Sequence, residues 1–300
     1  MSNDDQILQA AEFIRQGNLV IMPTETVYGI AGDALNPAAL NKIFEAKKRP
    51  KNHPLIAHIS DLNQLEVLSP EWRSALPFAE AFWPGPLTLV LPKSTKVPYE
   101  LNGGKTTIAV RIPNHQIALS LISASGTPIA APSANLFTKT SPTNIDHLSQ
   151  EIKNSVSAIL DGGPCQIGIE STVLDLTQET IAILRLGPIS ARQIQEITKT
   201  KISLSTSNLN ASPGNHPSHY SPKSKLVLVD AVESDCIGIS INQFGNHIIQ
   251  LPNDPAEYAK HLYAALHQLD SMGAEVIQLE KPPTTPEWDA VWDRISRASF

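Results

Sequence analysis

Within a chain of formal net charge -6, the stretch "EAKKRPKNHP" (Glu45 to Pro54) packs Lys47, Lys48, Arg49 and Lys51 together. Cations at this density can neutralise phosphate or carboxylate oxygens, arginine as a planar fork and lysine as a movable point charge. Pro50 and Pro54 stiffen the segment and would hold Lys47 and Arg49 in a fixed relation. A solvated helix end, favoured by the helix dipole, explains the same cluster. Both readings stand on these residues alone.

Three further stretches offer polar groups at useful spacing. In "PTETVYGIAGDA" (Pro23 to Ala34), Thr24 and Thr26 share a face if the chain is extended, and Gly29 and Gly32 permit close approach of a ligand to the backbone. In "APSAN" (Ala131 to Asn135) a strand ends at Pro132, so Ser133 and Asn135 would stand at the carboxyl edge of a sheet, where open α/β sheets take ligands. "DGGPCQIGIESTVLDL" sets Glu170, Ser171 and Thr172 at a strand start after a Gly-Gly turn. Each also reads as an ordinary turn or cap. Cys165 has no neighbouring base to activate it, and the spacing of His53 and His58 suits opposite faces of an extended chain. No protein-held metal is expected, and Walker A, GxGxxG, GxSxG and HExxH patterns are missing.

The elements that must position these groups follow from hydrophobic periodicity. Ile7, Leu8, Ala11 and Ile14 lie on one face of a first helix that Gly17 stops. The buried strand "LVIMP" follows, then a helix near 37 to 47, then "PLIAHI", "LTLVLP", "TIAVRIP", "PIAAPSAN", "SAILDGG", "STVLDL" and "AILRLG", with helices near 70 to 81 and 115 to 124. "LTLVLP" and "TIAVRIP" are too close in sequence for a crossover helix, as are "STVLDL" and "AILRLG", so the sheet must be mixed. The fold class is therefore α/β, with residues 1–200 as a first domain. Residues 201–224, rich in Ser, Thr, Asn and Pro, read as a linker, and 225–300 as a small βα domain with helices around 255 to 270 and from about 286.

At 41% hydrophobic the chain has a globular composition, and its mild acidity argues against a protein that coats nucleic acid through its overall field. Two distant cysteines give no disulfide framework, which suits a cytoplasmic setting, and no signal peptide or membrane span is expected.

Taken in order, "PTETVYG", "AKKRPKNHPL", "FWPGPLTLVLPK", "TIAVRIP", "APSAN", "SPT", "GGPCQIGIESTVLDL" and "SPGNHPSHYSPK" resemble the Sua5/YrdC/YwlC family over roughly residues 5 to 225. The resemblance implies a YrdC-like twisted mixed sheet with helices, followed by a small Rossmann-like α/β domain. It also implies a threonylcarbamoyl-AMP synthase, which joins L-threonine, bicarbonate and ATP into L-threonylcarbamoyladenylate and releases pyrophosphate. That product serves N6-threonylcarbamoyladenosine formation at position 37 of tRNA through a downstream transferase machinery, with tRNA itself a candidate partner. Mg2+ would accompany ATP, held mainly by phosphates and water.

By the same resemblance, Lys47 and Arg49 are the catalytic cations and face ATP with His53, Thr107, Ser133, Asn135, Ser141, Arg185 and Tyr220. Threonine falls to Thr26, His58, Arg111, Ala131 and Ser171, and the linker would fold back as a lid carrying Tyr220. Lys48 stands where the family often has glycine, His53 where Asn is more frequent, Leu186 for the proline of "RLG", and Asn215 for the methionine of "SPGM". The rival reading is a double-stranded RNA-binding module of the same fold, recognising duplex shape through phosphate contacts.

Overall fold

The computed structural model describes residues 2–204 and 219–299. Ten strands form one sheet: β1 (Val20–Met22), β2 (Gly29–Asp33), β3 (Ile56–His58), β4 (Leu87–Pro92), β5 (Thr107–Arg111), β6 (Ile129–Ala130), β7 (Ala158–Ile159), β8 (Thr172–Asp175), β9 (Ile181–Arg185) and β10 (Ile202–Leu204). Their spatial order is β10-β9-β8-β4-β5-β3-β6-β2-β1-β7. The pairs expected to be antiparallel, β4 with β5 and β8 with β9, are so, while β3 with β5 and β4 with β8 run parallel. β10 lies inside the stretch read as a linker, and of that linker residues 205–218 fall outside the described residues.

Strand periodicity divides the core. In β1, Ile21 joins the large cluster of the ten-stranded sheet, while Val20 and Met22 join a second cluster on the opposite face. That second cluster takes Ile7, Ala10, Ala11 and Ile14 from the helix Asn3–Arg15. Leu8, expected on the buried face, is 60% exposed, because Ala10 holds the inward position instead. Towards the middle of the sheet the second face carries only Ile56, Val90, Ala109, Val173 and Leu184. The candidate site lies beside this small cluster, with Ile56 in its lining.

Helix Pro37–Lys47 delivers the cation stretch. Asn36 caps its start by accepting from the Ala38 and Ala39 amides, and Lys48 ends it in the left-handed region at φ +52°. The C-terminal part adds a second sheet of β11 (Lys225–Val229), β12 (Gly238–Ser240), β13 (Ile248–Gln250) and β14 (Val276–Glu280), ordered β11-β14-β12-β13 and wholly parallel. Helices Pro255–Ser271 and Asp289–Ala298 pack against it, and its apolar cluster continues into Val27, Ile169 and Tyr220 of the preceding chain. No helix among the described residues is long and apolar enough to cross a membrane.

Candidate active site

Parallel β3 and β5 are in register at His58 and Arg111, so both side chains leave the same face of the sheet. Ser171 precedes β8 and Arg185 ends antiparallel β9, which brings those two to the same region. Together with Thr26, Arg49, Ala131, Ser133, Glu170, His219 and Tyr220 they line a cavity of about 60 Å³. His58, Arg111 and Arg185 end their strands and Ser133 follows β6, while Ser171 precedes β8. Because β6 runs antiparallel to β3, a mixed sheet has no single carboxyl edge, and the cavity lies across a face.

Its walls are built from buried polar groups. Thr24 and Thr26 meet through their hydroxyls at 2.9 Å, as alternate spacing suggested, and Arg111 Nη1 donates to Thr26 Oγ1 at 3.1 Å. Arg185 holds Ser171 twice, through Nε to the carbonyl and Nη2 to Oγ, each at 3.0 Å. Ser171 Oγ also meets Thr88 Oγ1 at 2.7 Å. Several groups have nothing to bond: Arg49 Nε, Arg111 Nε, His58 Nδ1 and Tyr220 Oη are buried without a hydrogen-bond partner. Glu25, 2% exposed, likewise accepts no hydrogen bond, and its Oε2 stands 3.7 Å from Arg111 Nη2. Buried orphans of this kind are rare in folded proteins and call for an occupant.

The electrostatics are set by burial. Burial, seconded by Arg111, lowers His58 to about 3, so its ring is neutral at physiological pH. Arg49 is drawn down by burial to about 10 and remains a cation. Glu170 would be raised by burial, yet Arg294, Arg185 and the Ser141 hydroxyl together bring it to about 2, a fixed carboxylate. Burial pushes the Cys165 thiol up to about 12, which leaves it protonated and inert as a nucleophile.

The cation stretch divides. Lys47 and Arg49 are buried, whereas Lys48 pairs with Glu151 and Lys51 with Asn41 in exposed positions. Lys47 Nζ donates to the carbonyls of Ser133 and Asn135, the latter at 2.6 Å, and so ties the two motifs together from behind the cavity. Asn135 is turned to the carbonyls of Leu136 and Lys139, and Ser141 Oγ donates to Glu170 Oε1 at 2.6 Å. Five expected nucleotide residues, Lys47, His53, Thr107, Asn135 and Ser141, lie outside the lining of this cavity. Thr107 opens β5, four positions before Arg111 and therefore roughly 13 Å along the strand. His53 packs edge-on against Phe137 at 5.3 Å, outside the cavity lining. Gly32 serves packing rather than ligand approach, since a Cβ there would stand 2.9 Å from Leu19 Cδ2.

Sequence reasoning missed Thr88, Glu25 and His219 as site residues. Thr88 and Glu25 sit inside quoted motifs, next to positions that were weighted. Tyr263 and Arg294 had no sequence signal, because each lies on an amphipathic helix whose polar positions read as solvated.

A family model described as "Telomere recombination" matches residues 12–187, and one described as "Threonylcarbamoyl-AMP synthase, C-terminal domain" matches 189–299. The threonylcarbamoyl-AMP synthase of Pyrococcus abyssi is 39% identical, covering 97% of this chain and 93% of its own. That of Bacillus subtilis is 37% identical, covering 99% and 94%. A crystal structure of P. abyssi Sua5 complexed with L-threonine superposes with a TM-score of 0.88 at 39% identity, covering 99% and 94% of the two chains.

Proposed function

The chain belongs to the Sua5/YrdC/YwlC family, and from that premise we propose that it is a threonylcarbamoyl-AMP synthase, forming L-threonylcarbamoyladenylate and pyrophosphate from L-threonine, bicarbonate and ATP. The observation that carries the reading is one cavity walled by Arg49, Arg111 and Arg185, with unpartnered buried donors facing hydroxyls. Bicarbonate, the carbamate formed from it and the triphosphate are all anionic where they must meet. The threonine amine adds to bicarbonate with loss of water, and a carbamate oxygen then attacks the α-phosphorus. The bond from that phosphorus to the bridging oxygen breaks, and pyrophosphate leaves. Such transfer needs placement and charge neutralisation more than a covalent nucleophile.

In this proposal Arg111 takes the threonine carboxylate in its fork, and neutral His58, Thr26, Ser171 and Ala131 bound the pocket around the amine and hydroxyl. Hydrogen bonds to that hydroxyl would reject analogues lacking it. Arg49 and Arg185 neutralise the phosphates. Lys47 acts through Ser133 and Asn135 by holding their carbonyls, and Ser141 is oriented by Glu170. Among the described residues that line the cavity the one carboxylate is Glu170, and its oxygens already accept from Ser141, Tyr263 and Arg294. That donor set does not fit a protein-held metal, so Mg2+ would enter with the phosphates. His219 and Tyr220 line the same cavity and would contact ATP beside Arg49 and Arg185.

Burial of Lys47 and Arg49 also removes two of the four cations that a duplex backbone would need, which weighs against the RNA-binding reading. Passage of the product to a tRNA-modifying transferase in the cytoplasm completes the proposal. The test is pyrophosphate release measured with each substrate omitted in turn. Release that requires threonine, bicarbonate and ATP jointly is the expected result, and release indifferent to threonine would overturn it.

A further inference from the structure

Arg294 is a fully buried cation at 0% exposure, and it comes from the last helix of the C-terminal part, 124 positions after its partner Glu170. Every arm of its guanidinium is used. Nε donates to Glu170 Oε2 at 2.9 Å, Nη2 to the Glu170 carbonyl at 3.2 Å, and Nη1 to the Leu186 carbonyl at 2.9 Å and to Asp293 at 2.8 Å. Its carbon lies 5.1 Å from the Tyr220 ring centroid. Tyr263, also from the C-terminal part, donates to Glu170 Oε2 at 3.1 Å. Glu170 precedes Ser171 and Leu186 follows Arg185, so one guanidinium grips the backbone beside both members of the Ser171–Arg185 pair. The other oxygen of Glu170 accepts from Ser141.

An apolar contact would join two domains with less desolvation, since buried ion pairs rarely exceed a well-packed hydrophobic substitute in stability. The fork geometry, which lysine cannot copy, is what this arrangement preserves. From it we infer that the C-terminal domain supplies positioning residues to the active site: Arg294, assisted by Tyr263, clamps Glu170 and Leu186 and thereby sets Ser171, Arg185 and Ser141. The inference rests on the reaction proposed above.

The full-length chain carries the test. Arg294→Lys keeps the charge and loses the fork, and misplacement of reacting groups predicts a fall in kcat of roughly 10- to 100-fold, with threonine affinity changed less than about threefold. Tyr263→Phe removes one hydrogen bond and predicts roughly a two- to tenfold fall in kcat with only a small fall in melting temperature. Hydrogen exchange at residues 170–172 and 185–187 should quicken in Arg294→Lys. Unchanged exchange there would refute the clamp, and quickened exchange with wild-type kcat would refute its positioning role. If Arg294→Lys does not fold, Glu170→Gln/Arg294→Met removes both charges together, and wild-type kcat in that double variant or in Tyr263→Phe overturns the inference. A wild-type chain without threonine-dependent pyrophosphate release refutes the reaction instead, while the exchange experiment still decides the clamp.

Discussion

Replacing Arg111 with methionine separates binding from stability. The arginine and Glu25 are 3% and 2% exposed, with Nη2 3.7 Å from Oε2, and Nη1 also holds Thr26. Removal leaves the Glu25 carboxylate buried and alone, at a stability cost of about 3–5 kcal/mol. Removal also deletes the proposed fork for the threonine carboxylate. Two charge-assisted hydrogen bonds at about 1.5–3 kcal/mol each correspond to threonine binding weakened roughly 10²- to 10⁴-fold. Adding Glu25→Gln withdraws the stranded charge, so Glu25→Gln/Arg111→Met should recover most of the melting temperature and none of the affinity. Calorimetric titration with threonine, thermal melts and threonine-dependent pyrophosphate release measure the three quantities. A double variant that binds threonine within about threefold of wild type would refute the assignment of Arg111.

Lys48 occupies a left-handed helix cap at φ +52° with only an exposed ion pair to Glu151, so Lys48→Gly should stabilise the chain by about 0.5–1 kcal/mol, read from the urea midpoint; destabilisation would show that the cap argument is wrong. Glu170 falls from an ordinary 4.5 to about 2 in the fold, so its contribution, about 3 kcal/mol, is complete above pH 4.5 and is lost as pH falls towards 2. The stability difference between wild type and Glu170→Gln should shrink over that window, and a difference independent of pH would contradict the ion-pair account.

Much of the large sheet could be read from sequence because its strands are short, apolar and punctuated by Gly and Pro. The mixed character followed from connections too short for a crossover, as in β4 to β5. β2 and β10 escaped notice for opposite reasons. "GIAGD" carries two glycines and looks like a turn, whereas "ISL" sits in a polar run whose composition outweighs three residues. Of the cavity lining, Thr26, Ser133, Glu170 and Ser171 stood out from their own motifs, whereas His58, Arg111 and Arg185 came only through the family resemblance. The site was illegible where contact depends on tertiary packing. Nothing local distinguishes Arg294 from Arg297, three positions later, yet the first is fully buried and the second is on the partly exposed side of the same helix. Thr107 opens β5, roughly 13 Å along the strand from Arg111 and outside the cavity lining.

Charge bookkeeping around the cavity leads to one last expectation. Lys47, Arg49, Arg111, Arg185 and Arg294 are all buried, against two buried carboxylates, Glu25 and Glu170. Desolvation opposes the charged form of the first four, and Lys47 is lowered well below its usual range by burial and by Arg49. Like charges held together in this way repel, so the folded state should be stabilised by any anion that binds among them. At a concentration of about 100 times Kd, ATP or pyrophosphate should raise the unfolding free energy by about 2.7 kcal/mol. Two controls give the argument its force. Adenosine, which lacks phosphates, should give little stabilisation, and Arg49→Met, which also gives up a hydrogen bond to the Pro54 carbonyl, should lose most of the response to pyrophosphate relative to its own ligand-free melt. Equal stabilisation of wild type and Arg49→Met by pyrophosphate would show that these buried cations are structural, and that the phosphates are held elsewhere.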